Sequence, residues 1–157
     1  MAYLIASEKE LLDAFRSRDQ KHVFVPATLR FPIELKHSLV WTEPSGVRVY
    51  LVFKKPEWKF PLGVAFRRDQ QGSIQNSAMC EWCLDYGPMD QIGLLTATVN
   101  SKKRAGVNLC LDLSCLDKLE NQANLTGKNL GKMIEKLQDR MARFCREVLD
   151  MHGKVKP

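Results

Sequence analysis

The chain has 157 residues, the length of one ordinary domain, and such a chain can bury around 70% of its unfolded surface. Apolar residues make up 45% and charged residues 27%, close to globular averages, which excludes a disordered or fibrous chain. The net charge of +6 is unevenly placed: 12 basic and 11 acidic side chains lie in residues 1–100, against 12 and 7 in residues 101–157. A basic C-terminal third suits an acidic partner, RNA or an acidic protein surface, and equally suits solubility alone. No apolar run approaches the roughly 18 residues of a membrane span. Met1–Ala6 lacks a basic segment and is too short for a signal peptide, so the expected location is the cytoplasm.

The first predicted element is a helix over residues 7–18. Ser7 and Glu10 have capping-box spacing, and Leu11, Leu12 and Phe15 supply an apolar face. Strand texture follows at His22–Pro26 and Ser38–Thr42. Val47, Val49, Leu51 and Phe53 then alternate with Arg48, Tyr50 and Val52, the period of a half-buried strand. Glu43-Pro-Ser-Gly46 has turn composition and makes a hairpin of the last two runs. Leu62–Arg67 continues the meander, and Asp69–Asn76 reads as a loop. Ile92–Val99 and Gly106–Leu111 are two more strands, joined by residues 100–105. Ser114–Asn121 reads as a short helix. The last helix is the clearest: Leu130, Met133, Ile134, Leu137, Met141, Phe144, Cys145, Val148 and Leu149 recur at three- and four-residue steps, with Gly153 as a stop signal.

Four of the five cysteines form C-x2-C, 26 residues, then C-x4-C: Cys80, Cys83, Cys110 and Cys115. In a reducing compartment this pattern reads as a tetrahedral zinc site rather than a disulfide framework. Gly87 and Pro88 suit the exit of the sharp turn that two sulfurs on one metal require. Strand alternation places Val107, Leu109 and Leu111 on one face and Asn108 and Cys110 on the other, turning Cys110 away from the apolar face. Cys115 falls in the first turn of a helix, where the dipole favours a thiolate. Knuckle, hairpin, then a helix carrying the last ligand is the layout of a treble-clef zinc finger. Four thiolates close the coordination shell, so the single Zn²⁺ is structural and leaves no position for an activated water. Cys145, on the apolar stripe of the last helix, reads as a small buried hydrophobe.

Enzyme signatures are missing. There is no phosphate-binding glycine loop, no nucleophile elbow and no H-E-x-x-H, and His22, His37 and His152 lie apart from the cysteine pairs. No catalytic residue and no small-molecule substrate are expected. A thiol redox switch built on C-x2-C would need labile cysteines, which a zinc-filled quartet does not offer.

Ser77-Ala-Met-Cys-Glu-Trp-Cys83, Val107-Asn-Leu-Cys-Leu-Asp-Leu-Ser-Cys115 and Met141-Ala-Arg-Phe-Cys-Arg-Glu-Val-Leu149 together resemble the elongation factor G binding protein family, that of the fusidic-acid-resistance proteins and their chromosomal relatives. The similarity runs from about Phe24 to Leu149. It implies a treble clef held by Cys80, Cys83, Cys110 and Cys115, binding to elongation factor G, and help in freeing that factor from the ribosome. The resistance proteins carry a helical bundle before this domain, whereas here only the 7–18 helix precedes the sheet. The resemblance therefore points to factor binding rather than to drug protection.

Three features are candidates for the partner surface. Lys102, Lys103 and Arg104 cluster at the tip of the finger hairpin, as a contact or as a solvated turn. Trp82 and Tyr86 flank the knuckle, as exposed contacts or as packing beside the metal. Lys128, Lys132, Lys136 and Arg140 repeat at steps of four along the last helix, interleaved with Glu135, Asp139 and Glu147, as a contact or as a mixed solvated face. The reading is α+β: a single domain of residues 1–157, with an antiparallel sheet, a four-cysteine treble clef and a long C-terminal helix. The resemblance implies binding to elongation factor G; the alternative is direct contact with RNA or the ribosome through the basic third.

Overall fold

The computed structural model describes residues 3–68, 77–88 and 91–151. Its elements in chain order are β1 (Tyr3–Ile5), α1 (Glu8–Asp13), α2 (Ser17–Gln20), β2 (Ile33–Leu35), β3 (Ser38–Thr42), β4 (Arg48–Phe53), β5 (Leu62–Arg68), β6 (Ser77–Met79), β7 (Tyr86–Pro88), β8 (Ile92–Asn100), β9 (Lys103–Cys110), α3 (Cys115–Thr126) and α4 (Leu130–Glu147). Five strands form one antiparallel sheet in the order β3-β4-β5-β8-β9, flanked by two-stranded pairs β1-β2 and β6-β7. The fold is α+β, with the long helix at its C-terminal end.

The N-terminal helix is shorter than its apolar pattern suggests and continues as a second short turn. The Ser7 hydroxyl accepts from the Glu10 N–H at 3.3 Å, and the Glu10 carboxylate accepts from the Ala6 N–H at 2.8 Å. These contacts satisfy two donors at the helix start. Phe15 then lies flat on the sheet at Gly63, where an added Cβ would sit 2.8 Å from the ring. His22–Pro26 is not a strand; its backbone instead serves side chains, with the His22 and Phe24 carbonyls accepting from the Tyr50 hydroxyl and the Trp41 indole.

The 48–53 strand is not half-buried, because both of its faces are covered. Val49, Leu51 and Phe53 enter the larger core with β5, β8, β9 and α4. Tyr50 and Val52 enter a second, smaller core with Ile5, Leu11 and Phe15 from the N-terminal segment and Trp41 from β3. The finger hairpin also turns more tightly than expected, at Ser101 and Lys102, so Lys103 and Arg104 belong to β9 rather than to a loop.

α3 runs past Asn121 and ends at Thr126, with Gly127 in the left-handed conformation at φ +72°. The Asn129 side chain starts α4 by accepting the Lys132 N–H at 3.2 Å. α4 buries Ile134, Leu137, Met141, Phe144 and Cys145 as its apolar period requires, and also buries Gln138. The Gln138 amide donates to the His37 and Lys54 carbonyls at 3.1 and 3.2 Å, pinning α4 to the open end of the β3–β4 hairpin. Arg16 ties the N-terminal segment to β8 and to the residues after α4 through the Thr98 and Leu149 carbonyls. The predicted loop 69–76 and the stop signal at Gly153 lie outside the described residues.

Candidate metal centre

Cys80 comes directly after β6, and Cys83 follows it across a tight knuckle. Within that knuckle the Leu84 N–H donates to the Cys80 carbonyl at 2.8 Å, and the Cys80 N–H donates to the Asp85 carbonyl at 2.8 Å. The sharp reversal falls on Leu84, which takes a φ of +65°, and not on Gly87 and Pro88, which lie in β7 paired with β6. Cys110 ends β9 and Cys115 is the first residue of α3. The link between them also needs a left-handed residue, Leu113 at φ +54°. All four side chains are buried and their sulfurs lie within 4.8 Å of one another. Cys80 Sγ to Cys115 Sγ is 3.6 Å, as is Cys83 Sγ to Cys110 Sγ. Four sulfurs each ~2.3 Å from one zinc ion would be about 3.8 Å apart at tetrahedral angles. The observed cluster is therefore sized for a single ion.

The electrostatics of the quartet favour a cation. Sulfurs this close cannot all ionise together unaided. Hydrogen bonding from its neighbours, Cys110 first, drives the Cys80 thiol strongly down, while Cys115 and Cys83 are driven strongly up, chiefly by Cys110. Cys110 is itself lowered, mainly through Cys115. A divalent ion at the centre removes this conflict by stabilising all four thiolates.

A model of the family described as FBP C-terminal treble-clef zinc-finger matches residues 9–150. The chain belongs to this family. Among solved structures it is similar to the fusidic acid resistance protein FusC, with 18% identity and a TM-score of 0.48. That likeness covers 77% of this chain and 57% of the other. No curated protein matches the chain. Family and geometry agree that the four cysteines are placed to bind one zinc ion.

Around the treble clef, side chains that the motif alone does not announce complete the site. The Lys118 ammonium lies 3.2 Å from Cys110 Sγ and 3.3 Å from the Asp85 carboxylate. Burial opposes its charge, but the sulfur and the carboxylate outweigh burial and raise its pKa above the ordinary lysine value. Helical spacing could have found it, since Lys118 is three residues after Cys115 and shares its face. The Cys80 sulfur accepts the Cys83 N–H at 3.4 Å. Glu81 bridges the knuckle to β9: its N–H donates to the Asn108 carbonyl at 2.9 Å, and its carboxylate accepts the Asn108 N–H at 3.2 Å.

The predicted partner residues are split by the structure. Trp82 is not an exposed contact. It is 3% exposed and packs edge-on against Phe66 and Phe144, because the knuckle turns its side chain inward onto the sheet and α4. Tyr86 is 70% exposed and stands beside its cross-strand partner Met79, with Leu84 exposed at the turn between them. Lys102 and Lys103 are exposed, as is Arg104, whose guanidinium is held by the Thr96 and Thr98 hydroxyls. On the last helix Lys132 and Lys136 are exposed, but Arg140 donates to the Trp82 carbonyl at 2.6 Å and locks the knuckle to α4. The stripe therefore does not continue to Arg140 as a free cation. Cys145 is fully buried, and burial pushes its thiol up to about 12.

Proposed function

We propose that the protein is a non-enzymatic, zinc-stabilised module that binds elongation factor G in the cytoplasm and modulates its release from the ribosome. The observation that carries this reading is the match of residues 9–150 to the treble-clef family, joined to the resemblance of the cysteine segments to elongation factor G binding proteins. Two features of the site support it. A closed shell of four sulfurs leaves the metal no position for a reacting water. The finger presents Lys102, Lys103 and Arg104 on a hairpin fixed to the metal centre, a rigid cationic surface suited to an acidic partner. Drug protection is not part of the proposal.

Direct RNA contact through the basic third draws less support, because Lys118 and Arg140 are engaged within the chain. Titration of the zinc-loaded protein with purified elongation factor G, without ribosomes, tests the proposal. One-to-one binding at micromolar affinity or tighter is the expected result, weakened by reversing Lys102, Lys103 and Arg104 to glutamate with zinc content unchanged. Failure to bind the factor, together with RNA affinity that falls steeply with salt, would transfer the function to nucleic acid.

A further inference from the structure

β9 is an edge strand of the five-stranded sheet, and its outer edge is only partly used. Its register with β8 runs unbroken from Ile92↔Cys110 to Thr98↔Arg104. At Asn108 both backbone groups point away from β8, since Glu81 takes the N–H and the carbonyl. The Cys110 carbonyl points outward too, accepting the Leu113 N–H at 2.9 Å, whereas the Leu111 N–H donates back to Gln91 on the β8 side. Antiparallel alternation then turns the N–H and carbonyl of Gly106 and Arg104 outward. Among the described residues no group meets them.

A cleft of about 290 Å³ runs beside this edge. Trp82, Val107, Phe144 and Val148 give it an apolar lining, and Glu81, Arg140, Arg143 and Glu147 complete it with two charges of each sign. Val107 belongs to the face of β9 turned toward α4. Arg104 belongs to the opposite face, where it reaches Thr96 and Thr98. A strand laid on the edge would thus send alternate side chains into two different environments, an apolar cleft and a cationic surface.

We propose that the β9 edge is a docking site for an extended partner segment, added antiparallel as a sixth strand, with alternating apolar and acidic side chains. Glu81 already occupies the first ladder position, and Gly106 and Arg104 offer the next two. Main-chain pairing provides affinity and the alternating side chains provide selection. Charge decides the occupant. Lys102, Lys103 and Arg104 attract acidic side chains, whereas a second copy of the chain would bring the same three cations to the junction. The proposal goes beyond the elongation factor reading, because it names the recognised element whichever protein carries it.

The probe is a nine-residue peptide of alternating valine and glutamate, blocked at both ends and added to ¹⁵N-labelled, zinc-loaded protein. Saturation is expected to slow amide exchange at Arg104 and Gly106 at least tenfold, with smaller changes at Ala105 and Val107, which already face β8. In antiparallel pairing the residues opposite Gly106 share the Arg104 face, so the glutamate amides are the ones that bond to β9. Methylating the glutamate nitrogens should abolish binding, while methylating the valine nitrogens should leave it within a few-fold. No slowing at Arg104 and Gly106 with millimolar peptide overturns the proposal, as does binding that survives methylation of the glutamates. Slowing that appears without peptide and grows with protein concentration overturns it in favour of self-pairing.

Discussion

Replacing Lys118 by methionine tests whether the ammonium beside Cys110 holds the metal. Methionine keeps the unbranched stem and the helix backbone, whose Lys118 N–H bonds to the Ser114 carbonyl at 3.2 Å, and removes only the charge. The lost contacts are the 3.2 Å hydrogen bond to the Cys110 sulfur and the 3.3 Å ion pair with Asp85, of which the first bears on the metal. A hydrogen bond to a charged group contributes ~1.5–3 kcal/mol. Because the Lys118 side chain is 27% exposed, the lower part of that range applies, about 1.5–2 kcal/mol. At ~1.4 kcal/mol per decade this is roughly a 10- to 30-fold loss of zinc affinity, within the range typical of outer-shell partners. Competition against a chelator of known affinity at neutral pH measures it, and Lys118→Arg should recover most of the loss. A methionine variant that holds zinc within twofold of the parent would show that the ammonium is a bystander.

Three other outcomes follow from the same structure. The four cysteines belong to the larger core with Phe66, Trp82 and Leu109, so stripping the metal should unfold that core cooperatively. Metal supplies ~10 kcal/mol or more to zinc-finger folding, against ~5–15 kcal/mol for a whole domain, so an unchanged melting curve in chelator would contradict this. Gln138→Leu leaves the Lys54 carbonyl without a donor and the His37 carbonyl with only the Lys54 N–H at 3.4 Å, and should cost about 1–3 kcal/mol in urea unfolding, with a loss under ~1 kcal/mol counting against the pinning role. Cys145 has a folded pKa raised from 9.0 to about 12 by burial, so only the unfolded chain loses that proton between those values. Its contribution is thus intact below pH 9 and declines toward pH 12, by up to ~1.4 kcal/mol per unit. Cys145→Ala should therefore show a shallower loss of stability than the parent between pH 9 and 10.5, and parallel curves would refute it.

What could be read from residues alone tracks how local its cause is. Ser38–Thr42 and the start of α4 match their elements because periodicity and capping act within a few residues. The parity of Cys110 was also legible, since alternation along one strand suffices to turn it from Val107 and Leu109. The three-residue strands β1, β2, β6 and β7 were not, because each exists only through a partner distant in sequence or across a turn. Tyr50 and Val52 looked solvent-facing for the same reason: of the residues that bury them, Ile5, Leu11 and Phe15 lie more than thirty residues earlier. Trp82 shows the limit most clearly. Its position between two ligands is a property of the motif, but its burial depends on Phe66 and Phe144, which only the fold brings near.

The two residues inside C-x2-C explain why the treble clef is continuous with the domain. Glu81 faces outward and bonds both backbone groups of Asn108, fixing the knuckle to the edge of β9. Trp82 faces inward onto Phe66 of β5 and Phe144 of α4, and its carbonyl is held by Arg140. The knuckle is thus joined to the sheet, to its outer strand and to the long helix through two adjacent side chains. Displacing the metal must disturb all three contacts, so zinc binding and core packing form one cooperative unit. The same rigidity serves recognition, because Gly106 and Arg104 lie on a strand that the metal fixes at Cys110 and Glu81 fixes at Asn108. A surface held at two points loses little freedom when a partner strand settles on it, which raises affinity without any additional contact.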